Sequence, residues 1–234
     1  MGKKRNIIVG QSGGPTSVIN SSLAGVYKTA KERGFDKVYG MLHGVQGLLD
    51  EQYVDLSTQI HSDIDIELLK RTPSAFLGSC RYKLPEIHEN PEIYEKLFEI
   101  MDKLDIETFI YIGGNDSMDT IKKLSDYAIV KGHSQKFLGV PKTIDNDLAL
   151  TDHTPGFGSA AKYIAASTKE IIRDALGLTY NKEMITIIEV MGRNAGWLTG
   201  ATALAKTEEC EGPDAIYLPE SVFDIDKFLQ TVKN

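Results

Sequence analysis

The chain has 234 residues, of which 41% are hydrophobic and 25% are charged. This length and balance are typical of a globular protein with a sizeable core, and they exclude a disordered, collagen-like or coiled-coil chain. The net charge of −7 gives no support for nucleic-acid or membrane-surface binding, so we expect neither partner. A local basic pocket for a phosphorylated small molecule remains compatible with this charge.

The two cysteines, Cys80 and Cys210, lie far apart and match no zinc-ligand spacing. We interpret them as reduced thiols of a cytosolic protein. The basic residues 1–5 are followed by a run of only three apolar residues, which is too short for a secretory signal or a membrane span. The sequence therefore predicts a cytoplasmic protein.

Strand-like segments alternate with helix-like segments along most of the chain. Strands are predicted over residues 6–9, 37–41, 108–112, 137–140, 185–190 and 215–218. Helices are predicted over residues 18–33, 91–104, 116–130, 159–176, 196–205 and 225–232. The repeated β–α order predicts an α/β fold with three layers, in which helices flank a mostly parallel, Rossmann-like sheet. The turn-rich residues 147–158 are the best place for a hinge.

Glycine-rich loops follow two of the predicted strands, at the end of the strand where parallel sheets bind ligands. Residues 10–16 precede a helix and suit a phosphate, although a simple tight turn is an equally good interpretation. Residues 113–117 add Asn115 and Asp116, whose oxygens suit Mg²⁺ directly or through water. Capping of the next helix is the alternative role for these two side chains.

The loop of residues 141–147 is the most specific of the three. Its sequence is Pro141-Lys142-Thr143-Ile144-Asp145-Asn146-Asp147, which crowds two carboxylates, an amide, a hydroxyl and an ammonium behind an apolar strand. Acidic loops are usually solvated turns, but a turn needs neither the lysine nor the threonine. Phosphoryl transfer needs a base for the attacking hydroxyl, a cation for the transferring group and oxygens around a metal.

Two further segments carry cations. Residues 76–83 place Arg81 and Lys83 after a glycine turn, and a guanidinium group binds phosphate oxygens in a bidentate manner. A pair of surface cations is the plainer interpretation of this segment. Residues 189–197 follow another predicted strand, and Arg193 is the ligand contact that we expect there. Met191 and Trp197 are more typical of core or wall residues.

Together these segments resemble the phosphofructokinase family, and specifically its pyrophosphate-dependent branch. The matching segments are, in order, Ser12-Gly13-Gly14-Pro15-Thr16-Ser17-Val18-Ile19-Asn20, Phe76-Leu77-Gly78-Ser79-Cys80-Arg81-Tyr82, Gly113-Gly114-Asn115-Asp116-Ser117, residues 141–147, and Glu189-Val190-Met191-Gly192-Arg193. The resemblance implies a two-lobed phosphofructokinase-like architecture. Residues 1–156 would form the donor lobe, and residues 157–234 the beginning of an incomplete sugar-phosphate lobe.

The resemblance also implies a reaction. A phosphoryl group would move from pyrophosphate to the 1-hydroxyl of fructose 6-phosphate and give fructose 1,6-bisphosphate, a reversible step of glycolysis. Asp145 matches the family's general base, and we place Lys142 and Asp116 beside it as catalytic residues. Mg²⁺ is the implied cofactor, because it neutralises the donor oxygens and the developing charge. The family is built from dimers and tetramers, so we expect a homodimer or homotetramer.

The remaining site residues follow from the same resemblance. Those that match donor phosphate-binding positions are Gly13, Gly14, Arg81 and Ser117. Those that match substrate-binding positions are Thr143, Asp145, Asp147, Met191, Gly192 and Arg193.

Asp116 and Lys142 predict whether the phosphoryl donor is pyrophosphate or ATP. Family members that use ATP have glycine at both positions, which leaves room for the α-phosphate and the nucleoside. The two side chains in this sequence fill that room, and the lysine adds a charge suited to a pyrophosphate leaving group. The sequence therefore favours pyrophosphate over ATP.

The sequence departs from the family pattern at three places. Asn115 stands where the family usually has a metal-linked aspartate, so it offers the metal an oxygen without the charge, and Asp116 is the alternative carboxylate. Met184 stands where the family has an arginine that reaches the sugar phosphate of a neighbouring subunit. The sequence stops at Asn234, whereas family members continue well beyond this point.

Three hypotheses about the function of the chain therefore remain. The chain is a pyrophosphate-dependent enzyme, an ATP-dependent 6-phosphofructokinase, or an inactive N-terminal fragment or phosphate-binding module. The combination of Asp145, Thr143 and Arg81 argues against a mere binding module, because a binder has no need of a base.

Overall fold

The computed structural model describes residues 6–14, 16, 18–178, 180–181 and 184–233. The chain divides into two compact units, one ending at Lys142 and the other beginning at Thr143. This division lies before residues 147–158, where the sequence suggested a hinge. The first unit contains the sheet, whereas the regular elements described in the second unit are helices.

The sheet of the first unit has five strands in the order β3-β2-β1-β4-β5. The strands are β1 (Asn6–Gln11), β2 (Lys37–Met41), β3 (Tyr53–Asp55), β4 (Ile106–Gly113) and β5 (Lys136–Pro141). All neighbouring pairs are parallel except β2 and β3, which are antiparallel. The predicted mostly parallel sheet is therefore confirmed, with one short antiparallel strand at its edge.

The helices of the first unit are α1 (Ile19–Glu32), α2 (Gly44–Leu49), α3 (Asp63–Arg71), α4 (Pro91–Lys103) and α5 (Asn115–Lys131), with a 3₁₀ turn at Leu56–Thr58. The sequence placed α1, α4 and α5 to within one residue at each end. It missed β3, α2 and α3. The start of α3 carries a readable signal, because Ser62 and Asp65 form a reciprocal capping box. Helix α2 is six residues long and contains two glycines, so its periodicity is too weak to read.

Two apolar cores cover the two faces of the sheet. Every residue of β1 is buried, and its side chains alternate between the faces. Ile8 packs in one core with Leu97 of α4, whereas Ile7 and Val9 pack in the other with Leu23 of α1. Helices therefore lie on both faces of the sheet, which confirms the predicted three layers.

The second unit contains α6 (Phe157–Gly177), α7 (Trp197–Gly200), a 3₁₀ turn at Ala201–Ala205 and α8 (Ile225–Lys233). The strands predicted over residues 185–190 and 215–218 are wrong, because neither segment forms a ladder in the structure. Ile185 and Ile187 are 64% and 78% exposed. Strand propensity reflects a side chain packed on a pleated surface, and these residues have no such surface beside them. Across the part of the chain that the structure describes, no helix has the length and apolarity to cross a membrane.

Candidate functional site

The predicted site residues of the first unit lie where three neighbouring parallel strands end. β1 ends at Gln11, β4 at Gly113 and β5 at Pro141, with Gly113 and Pro141 directly paired. The strand order reverses between β1 and β4, and open α/β sheets bind ligands at such a switch point. The fold thus brings the first two predicted loops, together with Pro141 and Lys142 from the start of the third, to one edge of the sheet.

Direct hydrogen bonds join these loops to one another. The hydroxyls of Ser12 and Ser117 hydrogen-bond across the switch point. The Ser79 hydroxyl donates to the Gly13 carbonyl at 2.5 Å, and the Gly13 amide donates to the Cys80 carbonyl at 3.0 Å. The segment that carries Arg81 is therefore fixed to the first glycine loop, and that loop is fixed to the second.

Lys142 places a buried cation against the first glycine loop. Its backbone amide donates to the Gly113 carbonyl at 2.9 Å, and its ammonium donates to the Gly14 carbonyl. The residue is only 6% exposed. A buried ammonium is costly unless it is hydrogen-bonded, and it raises the affinity of the adjacent surface for an anion.

Two of the loop glycines have different steric roles. A Cβ on Gly113 would lie 1.9 Å from the Ser117 hydroxyl oxygen and 3.1 Å from the Ser12 carbonyl, so glycine lets the two loops close here. Among the described residues other than its chain neighbours, none has an atom within 4 Å of a Cβ built on Gly14. The space beside Gly14 is open, as close approach of a phosphate to the backbone requires.

The first turn of α5 carries Asn115 and Asp116, and both are exposed. The N-cap of α5 is Gly114, and no side chain caps the helix. The capping alternative for Asn115 and Asp116 is therefore wrong. Both oxygen-bearing side chains stand instead at the positive end of the helix, where a carboxylate is favourable.

The described residues offer few side chains that could together coordinate a metal ion. Within residues 6–14, 16, 18–178, 180–181 and 184–233, no three His, Cys, Asp or Glu side chains form a cluster that could hold an ion. Mg²⁺ usually keeps several waters and is bound by one or two carboxylates together with substrate phosphates. Asp116 and Asn115 fit that mode, in which the metal arrives with a polyphosphate, and they do not fit a resident all-protein site.

Arg81 is exposed, and the residue before it is firmly anchored. The Cys80 sulfur lies 3.5 Å from the Tyr111 hydroxyl oxygen, which also accepts a hydrogen bond from the Val45 amide at 3.1 Å. Burial is the main cause that raises the pKa of Tyr111 above its ordinary value. Tyr111 thus stays a neutral phenol that links β4 to α2 behind the Arg81 segment.

Two fully buried amides, Gln11 and Asn20, were missed as functional candidates by the sequence analysis. They stand at the two ends of the first glycine loop and hydrogen-bond the backbone of residues 72–77. No local signal marked them, because both have serine as the next residue in the sequence.

In the second unit, Asn146 and Thr154 fold the acidic loop onto itself. The Asn146 side chain accepts from the Thr154 amide at 2.8 Å and donates to the Asp152 carbonyl at 3.2 Å. The Thr154 hydroxyl donates to the Thr143 carbonyl, and the Asp145 amide donates to the Thr143 hydroxyl. Asn146 has a left-handed backbone with φ of 58°. The loop that carries Asp145 and Asp147 is therefore held in one shape.

Met191 of the second unit lines an apolar groove of about 320 Å³ together with Ile144 of the acidic loop. The structure thus brings one residue of the acidic loop and one residue of the segment 191–193 to the same groove. Gly192 has φ of 132°, and a Cβ there would lie 2.4 Å from the Ala195 carbonyl oxygen. Arg193 follows it and is exposed. The binding roles of these residues stay predictions.

A family model described as phosphofructokinase matches residues 6–234. The chain belongs to the phosphofructokinase family. The resemblance read from the five loop segments is therefore confirmed.

Two named proteins show how similar this chain is to other members of the family. The pyrophosphate–fructose 6-phosphate 1-phosphotransferase of Xanthomonas campestris pv. campestris (strain B100) is 44% identical over 228 residues, which is 97% of this chain and 54% of that protein. An ATP-dependent 6-phosphofructokinase from Glaesserella parasuis serovar 5 (strain SH0165) is 33% identical over 230 residues, which is 98% of this chain and 64% of that protein.

A solved structure is also similar. The pyrophosphate-dependent phosphofructokinase from Nitrosospira multiformis is 42% identical and superimposes with a TM-score of 0.88. The match covers 99% of this chain and 57% of the Nitrosospira chain. The chain spans about half the length of the pyrophosphate-dependent relatives that it matches.

Proposed function

We propose that this chain binds pyrophosphate and transfers one of its phosphoryl groups to the 1-hydroxyl of fructose 6-phosphate. The observation that carries the proposal is the buried ammonium of Lys142 on the Gly14 carbonyl, at the open surface beside Gly14. It places a fixed positive charge where a glycine loop leaves room for a phosphate. The names of the relatives that are 42–44% identical support the same donor and acceptor.

The donor is pyrophosphate because of Lys142 and Asp116. Lys142 is buried against the first glycine loop, and Asp116 stands in the open first turn of α5. Side chains at these two positions occupy the room that a nucleoside and its α-phosphate need. Gly13, Ser117 and Arg81 complete the donor-binding set in this proposal, with Arg81 clamping the transferred group through its guanidinium.

The acceptor is activated by Asp145. Its carboxylate takes the proton of the 1-hydroxyl while that oxygen attacks the phosphorus, and the bond from this phosphorus to the bridging oxygen of pyrophosphate breaks. The products are the sugar bisphosphate and inorganic phosphate. Thr143 and Asp147 orient the sugar, and Met191, Gly192 and Arg193 contact its 6-phosphate. Asp116 and Asn115 would hold Mg²⁺ with the donor, where the metal neutralises charge on the phosphate oxygens.

The physiological setting of this proposal is glycolysis in the cytoplasm, and the assembly is a homodimer or homotetramer. Both buried cysteines are free thiols, as a reducing compartment favours. The alternatives are an ATP-dependent kinase and a fragment that binds the donor without turnover.

Thermal unfolding of the chain with Mg²⁺ and either pyrophosphate or ATP separates these alternatives. A ligand that binds only the native state raises its stability by about 2.7 kcal/mol when its concentration is a hundred times its dissociation constant. We expect stabilisation by pyrophosphate and none by ATP. Stabilisation by ATP alone would indicate an ATP-dependent kinase. Stabilisation by neither ligand would contradict the presence of a donor site in this chain.

Turnover is measured as formation of fructose 1,6-bisphosphate by the same chain, with Asp145→Asn as the variant. We expect the variant to lose at least about a thousandfold in rate while its pyrophosphate-induced stabilisation is unchanged. Donor binding by an unmodified chain that shows no turnover would support the fragment interpretation. Equal turnover of both chains would contradict the role of Asp145.

A further inference from the structure

Gln11 and Asn20 bracket the first glycine loop and hydrogen-bond each other across it. Gln11 is the last residue of β1 and Asn20 is the second residue of α1, and both are 0% exposed. The Gln11 side-chain amide donates to the Asn20 side-chain oxygen at 2.9 Å and to the Ile19 carbonyl at 3.2 Å. This pair fixes the distance between the end of the strand and the start of the helix, and therefore the span that the loop must cross.

The same two amides also hold a segment that is distant in sequence. Asn20 donates to the Thr72 and Ser74 carbonyls, both at 2.8 Å, and accepts from the Phe76 amide at 2.9 Å. Gln11 accepts from the Leu77 amide at 2.9 Å. Residues 72–77 belong to no helix or strand. The side-chain amides therefore provide the hydrogen-bond partners that backbone groups in a β-strand find on the neighbouring strand.

The held segment leads directly to Arg81. After Leu77 the chain turns at Gly78, whose φ is 72°, and Ser79 and Cys80 then hydrogen-bond to Gly13. Gln11 and Asn20 thus fix both sides of one junction, with the glycine loop on one side and the Arg81 segment on the other. Every polar atom of their two amide groups takes part, and an isosteric acid would keep the accepting oxygen and remove the donating nitrogen.

We propose that Gln11 and Asn20 are positioning residues for donor binding, which hold Arg81 and the Gly14 backbone in the register needed to bind one donor phosphate together. This inference rests on the proposed function, because it assigns Arg81 to the donor. Neither amide contacts the donor itself. Their effect passes through the backbone of residues 76–81 and through the loop that they bracket.

Asn20→Asp is the decisive variant. It is isosteric and keeps the oxygen that accepts from Phe76, but it turns a donor into a second oxygen facing the Thr72 and Ser74 carbonyls. Ser21→Ala is the matched control, because Ser21 is the next residue of α1 and ties it to the Lys70 carbonyl at 3.1 Å, just before the held segment. If Asn20→Asp fails to fold, Gln11→Glu takes its place, since it keeps the acceptor for Leu77 and loses only the donor.

The first readout is amide hydrogen exchange of the free chain. We expect Asn20→Asp to speed exchange at residues 76–81 at least about tenfold, with unchanged exchange in β1 and β4, and Ser21→Ala to change neither. Equal acceleration throughout the sheet would mean a general loss of stability and would overturn the positioning role. This readout does not depend on any donor, so it judges the role even if the unmodified chain fails to bind pyrophosphate and the proposed function falls.

The second readout is a double-mutant cycle on pyrophosphate affinity, measured well below the unfolding temperature of each variant. We expect Asn20→Asp and Arg81→Ala each to weaken binding at least about tenfold. The double variant should lose clearly less than the product of the two single losses, because part of the Asn20 effect passes through Arg81. Additive losses would show that Asn20 does not act through Arg81. Full affinity in Arg81→Ala, or in Asn20→Asp despite faster exchange, would also overturn the proposal.

Discussion

The side-chain hydroxyls of Ser12 and Ser117 hydrogen-bond to each other where the strand order of the sheet reverses. The two residues are 6% and 2% exposed. Ser12 lies in the loop that follows β1, and Ser117 lies in the first turn of α5, which follows β4. Glycine at position 113 lets them meet, since a Cβ there would overlap the Ser117 hydroxyl. One hydrogen bond between two short side chains thus joins the two glycine loops that we assign to the donor.

Ser12→Ala and Ser117→Ala should each destabilise the chain by about 1–2 kcal/mol, because each removes a buried hydrogen bond and leaves the other hydroxyl without that partner. The double variant should cost less than the sum, since both changes remove the same bond. Urea unfolding of the four chains measures the coupling. Ser57→Ala is the control, because within the described residues its buried hydroxyl has no hydrogen-bond partner. Its effect should be small and should add to that of Ser12→Ala.

Gly14→Ala should leave the unfolding temperature unchanged and weaken pyrophosphate binding at least about tenfold. Apart from the chain neighbours of Gly14, no described residue has an atom within 4 Å of the added methyl, which would occupy the space where the phosphate approaches the backbone. Gly25→Ala is the matched control, since its methyl also meets no atom. That change lies in α1 and should raise stability by about 0.5–1 kcal/mol without changing affinity. Normal pyrophosphate affinity in Gly14→Ala would contradict the assignment of this loop to the donor site.

Lys142→Met should lower pyrophosphate affinity by about a hundredfold, because the buried ammonium on the Gly14 carbonyl is lost while the apolar stem is kept. Calorimetric titration with Mg²⁺ and pyrophosphate measures the change. Lys136→Met is the control, since this lysine begins β5, the strand that Lys142 follows, and pairs with Glu107 at 3.3 Å on the surface. Equal affinities of the two variants would contradict the role assigned to Lys142.

Tyr111→Phe should make the chain less sensitive to alkali. Burial raises the pKa of Tyr111, so the folded chain keeps the phenolic proton at a pH where the unfolded chain releases it. The resulting stability is fully present below the unfolded pKa of 10.0 and is lost as the pH rises above it. Phenylalanine should cost about 1 kcal/mol at neutral pH, because the Val45 amide loses its acceptor.

The pH profile of urea unfolding from about pH 8 to about pH 11 tests this expectation. The loss of stability above pH 10 should be smaller in Tyr111→Phe than in the unmodified chain. Tyr180→Phe serves as the control, because Tyr180 is 93% exposed, and it should reproduce the unmodified profile. Parallel profiles for Tyr111→Phe and the unmodified chain would be inconsistent with a buried neutral phenol.

Four of the five strands of the first unit were predictable because they contain apolar runs next to turn signals, whereas the three-residue β3 was missed. Every residue of β1 is buried, and Gly113-Gly114 ends β4 where the sequence indicated. The same reasoning failed at residues 185–190, whose β-branched run is identical in character but lies exposed in the second unit. A strand needs a neighbouring strand, and a local pattern does not contain one.

The candidate site was predictable as a set of loops and not as a set of contacts. Glycine spacing and polar crowding located residues 10–16, 113–117 and 141–147, and the sheet places the first two loops and Lys142 at one edge. The hydrogen bond from Lys142 to the Gly14 carbonyl spans 128 residues, and the bond from Gln11 to Leu77 spans 66. Such separations carry no local signal, so the residues that hold the loops together emerge only from the fold.

Residues 184–190 have a practical consequence for handling the chain. Their sequence, Met184-Ile185-Thr186-Ile187-Ile188-Glu189-Val190, has a single charge and no proline or glycine, and its isoleucines face solvent. An exposed short run of this kind is a hazard for stacking between molecules into fibril-type ribbons, and its exposure in the folded chain means that this stacking requires no unfolding of the first unit. We therefore expect the working life of a purified sample to depend on its concentration more than on its melting temperature, with Glu189 as the gatekeeper charge of this segment.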